Sequence, residues 1–299
     1  MSNSLAHYLR SQEIGRNDII PIICDRSPFY IIGVLGISKA GGAFLPIDRD
    51  LPIERIQFIL KDVSPKLIIN NNCEEIINKL YENKSNYIIY NLKKHDYGSN
   101  KNEIENINES NDLCYVLFTS GTTGKPKGAL ISHFNIYNYI SSFSSFHCKE
   151  SRNFSIYNLF IKSNNVKNVL AVSNFSFDIS HIEITLSLVH GLNIILVDDI
   201  AYNDVDTLSE IIKNNKVELI NTTPSRFKLF MENDQFNMSI KNLKSLILTG
   251  EILTKELCKS INSYSKCKIY NGYGPTECAV DCSFVEINEY NNNPITIGK

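Results

Sequence analysis

Residues 113–128 read Leu113-Cys114-Tyr115-Val116-Leu117-Phe118-Thr119-Ser120-Gly121-Thr122-Thr123-Gly124-Lys125-Pro126-Lys127-Gly128. The stretch from Leu113 to Phe118 has the composition and length of a buried strand. It stops abruptly in Thr119, Ser120, Thr122 and Thr123, interleaved with Gly121 and Gly124 and followed by Lys125 and Lys127. Such a set suits a loop that wraps an anion. Glycine lets backbone N–H groups turn inward without steric cost, and concave N–H nests with hydroxyl donors favour phosphate. A polar surface hairpin is the plainer alternative. The stretch is not a Walker loop, which requires Ser or Thr after the lysine, where this chain has Pro126.

On both sides of this stretch, strand patterns alternate with helix patterns. Before it, helices are predicted over residues 4–14, 28–40, 52–61 and 73–81, with extended segments at 18–24, 43–48, 66–70 and 87–90. Residues 93–112 are polar and unpatterned, as in an exposed connector. After the stretch come a short strand at 129–132 and a helix over 134–146, and residues 148–167 read as a surface insertion. A second βα series follows, with strands at 169–173, 192–197, 218–222, 243–249 and 268–270. Helices are expected from Ser180 to His190, over 205–214, from Pro224, and over 254–264. The alternation predicts an α/β protein with helix-covered, mostly parallel sheets.

Two further stretches carry chemistry. In Asn271-Gly272-Tyr273-Gly274-Pro275-Thr276-Glu277 the glycines permit close backbone approach and Tyr273 offers a flat face for stacking. Thr276 adds a hydroxyl, and Glu277 adds a hard oxygen ligand suited to magnesium. In Phe177-Asp178-Ile179-Ser180, Asp178 or Ser180 can cap a helix, or Asp178 can present a carboxylate to a bound amine. His133 and His181 lie near motifs, but without catalytic or metal spacing they read as structural. The eight cysteines contain no Cys-x-x-Cys pair, so they imply neither a zinc site nor a disulfide framework. Cys278 and Cys282 are the closest pair, and free thiols in a reducing cytoplasm are the expectation. A formal charge of −2, without a basic stripe, gives no electrostatic reason to expect nucleic acid. No apolar run approaches the length of a membrane span.

The first stretch resembles, nearly residue for residue, the Thr-Ser-Gly-Thr-Thr-Gly-x-Pro-Lys-Gly phosphate loop of the adenylate-forming superfamily. That superfamily includes acyl- and aryl-CoA ligases, luciferases and the adenylation domains of nonribosomal peptide synthetases. Lys39–Asp48 resembles another motif of the peptide-synthetase branch, of architectural value only. Phe177–Ser180 is similar to that branch's Phe-Asp-x-Ser element, in which the aspartate pairs with the substrate α-ammonium. The resemblance implies ATP-dependent activation of an amino acid as its aminoacyl-adenylate, with release of pyrophosphate. The product would be loaded onto the phosphopantetheine thiol of a carrier-protein domain. An acyl or aryl ligase fragment, or a non-catalytic nucleotide-binding remnant, remains as the alternative.

By the same resemblance, Thr119, Ser120, Gly121, Thr122, Thr123, Gly124 and Lys127 would hold the phosphates of ATP. Gly250, Glu251, Asn271, Gly272, Tyr273, Gly274 and Thr276 would line the nucleotide, with Glu277 on Mg²⁺. Thr119, Lys127, Thr276 and Glu277 are the implied catalytic set. The substrate pocket would be Asp178, Ile179, Ile182, Asn221, Ile247, Thr249, Gly272, Val280 and Asp281. A second carboxylate there, Asp281, would be costly to bury without a partner and suggests a polar or cationic substrate side chain. The resemblance spans residues 1–299 as the N-terminal core of such a domain, entering midway through its first motif. No Tyr-x-Thr-Gly-Asp segment occurs in the chain, and the C-terminal lid subdomain with its catalytic lysine is expected to lie outside it.

Overall fold

Periodicity, turn residues and caps explain most of the elements. The computed structural model describes residues 1–82, 87–120, 125–140, 157–162, 164–287 and 295–297. The chain divides into two units, Met1–Ile136 with Asn174–Ser176, and Tyr137–Ser173 with Phe177–Lys299. The first unit runs α1 (Ser2–Ser11), β1 (Ile19–Cys24), α2 (Pro28–Ala40), β2 (Ala43–Pro46), α3 (Ile53–Val63), β3 (Ile68–Asn71), α4 (Glu74–Glu82), β4 (Ile89–Asn91), β5 (Leu113–Ser120) and β6 (Pro126–Ser132). Pro28 opens α2 at its first turn and Gly41 closes it. The sheet order is β4-β3-β1-β2-β5-β6, parallel except for the antiparallel β5–β6 pair. Its core clusters Ile23, Leu45, Ile59, Leu60, Leu80 and Val116.

After α5 (His133–Ile140), the second unit runs β7 (Asn168–Ala171), α6 (Ser180–Glu183), α7 (Thr185–Val189), β8 (Asn193–Leu196), α8 (Asp199–Asn203), α9 (Val205–Asn214), β9 (Leu219–Thr222), α10 (Pro224–Phe230), α11 (Asp234–Ser239), β10 (Ser245–Thr249), α12 (Lys255–Tyr264), β11 (Lys268–Tyr273) and β12 (Ser283–Glu286). Side-chain caps from Asp204, Thr223, Asn233 and Thr254 start α9, α10, α11 and α12. The order is β12-β11-β10-β9-β7-β8, again parallel except at one edge, where β11 and β12 run antiparallel. Phe227 and Phe236 anchor the core in an edge-to-face pair at 5.5 Å. At the amino-terminal ends of β7, β9 and β10, Glu218 binds the Lys167 amide at 2.6 Å and the Lys244 ammonium at 2.6 Å.

Two parallel-rich sheets covered by helices therefore match the expected class, and three local readings change. The strand expected at 129–132 starts earlier, at Pro126, because the β5–β6 ladder continues to the Ser120–Pro126 pair. The helix expected from Ser180 to His190 is broken into α6 and α7. The expected surface insertion is anchored where it is described. Phe160 is fully buried, edge-on to Tyr270 and Phe284, and Asn164 donates to Ser245 Oγ and Tyr270 Oη. The part of the predicted 134–146 helix beyond Ile140 lies outside the described residues, as do Gly121, Thr122, Thr123 and Gly124.

Candidate active site

In the first unit, β5 and β6 bring the base of the hydroxyl-rich loop together. Thr119 pairs with Lys127 and Ser120 with Pro126. Thr119 is half-buried and Lys127 is exposed, so a cation stands beside the strand end with a free approach. Asn174 and Phe175, just ahead of Asp178, also belong to this unit: Asn174 donates to Asp48 at 2.6 Å, and Phe175 stacks on Tyr30 at 3.9 Å.

In the second unit, the remaining candidates collect at the carboxyl ends of neighbouring strands, where open parallel sheets characteristically bind ligands. Asn221 lies one residue before the end of β9, Ile247 sits in the middle of β10 and Thr249 ends it, and Asn271, Gly272 and Tyr273 close β11. A cavity of about 410 Å³ is lined by Gly250, Glu251, Ile252, Leu253, Asn271, Gly272, Tyr273, Gly274, Pro275, Ile295 and Ile297. Gly250 adopts φ +84°, a turn that glycine makes without strain. Tyr273 lines this cavity and is 48% exposed, so part of its ring is open to stacking. Two polar side chains are engaged differently from expectation. The Asn271 amide donates to the Thr296 carbonyl at 2.8 Å, and the Glu251 carboxylate accepts from Ser225 N–H at 2.9 Å and Ser225 Oγ–H at 2.8 Å. Glu251 therefore reaches back to the start of α10 and offers the cavity its backbone.

The second cluster is a buried group of acceptors. Asp178 does not cap α6, which begins after Ile179 without a side-chain cap. Its Oδ2 is buried without a hydrogen-bond partner. Burial pushes the Asp178 carboxyl up to about 6, although hydrogen bonds from the Thr276 hydroxyl and the Ile179 amide oppose the shift. Asn221 donates its amide to the Ile179 carbonyl at 2.9 Å and leaves Oδ1 buried and unpaired. Asp281 accepts from Thr249 Oγ1 at 2.7 Å and from Tyr139 Oη at 3.2 Å, so two protein hydroxyls offset part of the cost of burying it. Burial still holds Asp281 up at about 6, and the charge of Asp178 adds to the shift. Ile182, Ile247 and Val280 are buried apolar neighbours, and Ile179 is half-buried. Glu277 is exposed. Among the described residues no three His, Cys, Asp or Glu side chains form a metal cluster. A single open carboxylate nevertheless suits Mg²⁺, which commonly takes one or two carboxylates together with substrate phosphates.

Sequence reasoning missed Tyr139 and Glu183. Tyr139 lies 142 positions from Asp281 and carries no local signal. Glu183, fully buried, accepts from the Ser173 amide and hydroxyl and ties α6 to the segment that follows β7. His181 is structural, as expected: it bonds Thr185 Oγ1 at 2.8 Å, and burial lowers it to about 4. His133 differs, since its Nε2 is buried without a partner. Replacing Tyr139 by phenylalanine keeps the shape but strands one Asp281 oxygen, with an expected loss of about 1–2 kcal/mol. Urea unfolding checks this, and an unchanged midpoint would remove Tyr139 from the site.

A family model described as AMP-binding enzyme matches residues 1–299. The chain belongs to the AMP-binding enzyme family. The chain is 35% identical over 286 residues to surfactin synthase subunit 2 of Bacillus subtilis (strain 168), covering 93% of the chain and 7% of that protein. It superposes on the α-methyl-L-serine-AMP-bound form of the nonribosomal peptide synthetase FmoA3 with a TM-score of 0.84 at 18% identity, over 100% of the chain and 32% of the other. The N-terminal subdomain of Klebsiella oxytoca NpsA, in complex with 3-hydroxybenzoyl-AMSN, gives a TM-score of 0.76 at 21% identity. That match covers 99% of the chain and 71% of NpsA's. Both superpositions bear out the α/β fold. The chain thus spans a small fraction of the curated synthase that it matches. No helix among its described residues is long and apolar enough to cross a membrane.

Proposed function

We propose that this chain is the nucleotide- and amino-acid-binding core of an adenylation domain that activates an amino acid for transfer to a carrier-protein thiol. The observation that carries the reading is the buried, unpartnered Oδ2 of Asp178, on the same unit as the strand-end cavity. A carboxylate held this way is stabilised by an ammonium group, which an amino acid supplies and a fatty or aryl acid does not.

In the reaction, the substrate carboxylate attacks the α-phosphorus of ATP, forming the acyl–phosphate bond as pyrophosphate leaves. Transfer of this kind needs positioning and charge neutralisation more than a covalent nucleophile. Tyr273 would stack on the base, Asp178 would hold the α-ammonium, and Thr119 and Lys127 would meet the phosphates. Thr276, whose hydroxyl is directed to Asp178, would link the amine and phosphate ends of the site. Glu277 would hold Mg²⁺, which when bound supplies neutralisation of phosphate charge. The side-chain end of the pocket, with Asn221 Oδ1 and Asp281, favours a hydrogen-bond donor or a cation such as the amine of lysine or ornithine.

The pH dependence has a definite sign. Asp178 and Asp281 both sit near 6, above the ordinary carboxylate value. Their contribution to the stability of the free protein is therefore fully present below about pH 4 and is lost as pH rises through about 6. Amine binding runs the other way, because it needs the ionised form. Calorimetry with a panel of non-hydrolysable aminoacyl-sulfamoyl adenosines tests both points. Affinity is expected to be about tenfold weaker at about pH 5 than at about pH 7.5, with donor-bearing side chains preferred. Binding of AMP without any aminoacyl analogue would reject amino-acid activation. A preference for leucyl or phenylalanyl analogues that survives Asp281→Ala would reject the side-chain assignment.

A further inference from the structure

Cys278 and Cys282 take no part in the chemistry above, yet they bracket it. Cys278 directly follows Glu277, and Cys282 directly follows Asp281. Both thiols are exposed, whereas the other described cysteines are buried or half-buried. Between the two, the backbone enters the left-handed region at Ala279 (φ 59°) and again at Val280 (φ 83°). A β-branched residue seldom adopts that conformation, and such outliers persist where the surrounding structure holds a strained loop in place. The reversal returns the chain on itself and brings the two thiols, four positions apart, close enough to interact. Cys282 also faces the nucleotide turn: its amide donates to the Tyr273 carbonyl at 2.9 Å, and its Sγ–H reaches the same oxygen at 3.4 Å.

We infer that Cys278 and Cys282 form a reversible disulfide, with a low-molecular-weight disulfide such as oxidised glutathione as oxidant, and that its formation weakens nucleotide binding at the Tyr273 turn. The coupling to nucleotide rests on the adenylation reading; formation of the disulfide does not. The exposed Cys278 thiolate attacks one sulfur of the oxidant, forming a mixed disulfide and expelling one small thiolate. Cys282 then gives up its proton and attacks the Cys278 sulfur, expelling the second. The two thiol protons pass to the leaving thiolates, so two protein thiols are oxidised as one small disulfide is reduced to two thiols. The Tyr273 carbonyl loses the S–H donor, and the loop packed against Gly274 is cross-linked.

The test equilibrates the full chain in glutathione redox buffers, alkylates the remaining thiols, and combines peptide mapping with AMP titration. A linked Cys278–Cys282 peptide is expected that dithiothreitol reverses, together with about tenfold weaker AMP binding. The Cys278→Ser/Cys282→Ser double variant is expected to bind AMP equally in reduced and oxidised buffers. No linked peptide in oxidised glutathione would overturn the dithiol assignment. A linked peptide with unchanged AMP affinity, or an equal loss in the double variant, would overturn the coupling. Failure of the reduced chain to bind AMP would count against the adenylation reading, and the peptide map would still decide the disulfide.

Discussion

Asp178→Ala is expected to weaken binding of an aminoacyl-sulfamoyl adenosine about 100-fold, because it removes one partner of a buried charge pair. Affinity for AMP should barely change, since AMP carries no amine for the carboxylate. The fold should not suffer either. In the free protein Oδ2 is buried without a partner, and burial holds the carboxyl at about 6, so at neutral pH the group is a burden to the folded state. Function and stability thus part company at this residue, as they commonly do at binding sites. Calorimetry with both ligands and a thermal melt on the same variant decide the matter. Equal losses for AMP and the aminoacyl analogue, or a marked fall in melting temperature, would make Asp178 structural.

Gly274→Ala is expected to give the second large effect, for a steric reason. A Cβ there would lie 2.3 Å from the Val280 carbonyl oxygen, 2.4 Å from Asp281 Cα and 2.9 Å from the Cys282 amide nitrogen. All three are backbone atoms, so the loop itself must open. Overpacking of this kind costs about 3 kcal/mol, and AMP affinity should fall more than tenfold with it, by about 1.4 kcal/mol or more. Gly272→Ala makes a useful contrast. Its Cβ would meet Phe284 Cε1 at 2.9 Å, Thr249 Oγ1 at 3.1 Å and Asp281 Oδ1 at 3.2 Å, all side-chain atoms that can give way. Its stability loss should be smaller, with the harm falling on aminoacyl binding. Urea unfolding and AMP titration of the two variants check the order, and a Gly274→Ala protein as stable as the parent would refute the close packing.

Much of the fold was legible because its signals are local. Pro28 and Gly41 bound α2 where sequence placed it, and Asp204 opens α9 at the expected residue. The misses have local causes too. The Ser180–His190 helix breaks at Ile184, which serves as C-cap of α6 and N-cap of α7. β12 and the buried Phe160 escaped because both depend on packing against Tyr270 and its strand, not on their own pattern. The site divides the same way. The strand-end positions of Asn221, Thr249 and Gly272 follow from motif and periodicity. What those side chains bond to does not, since Asn271 turns to Thr296, Glu251 to Ser225, and Asp281 to Tyr139. Each of those partners is distant in sequence or an unremarked hydroxyl, so only folding reveals it.

The Glu218 junction has its own meaning for how such a protein can change. It braces the rim where β7, β9 and β10 begin, while the candidate ligand groups stand towards the ends of β9, β10 and β11. About five residues of extended chain, roughly 16 Å, part the two rims. Drift in ligand preference can therefore proceed at one rim without reopening the problem of assembly at the other. For the same reason, a reporter dye or affinity handle belongs at the braced rim, on exposed Lys241 or Lys266, out of reach of the ligand.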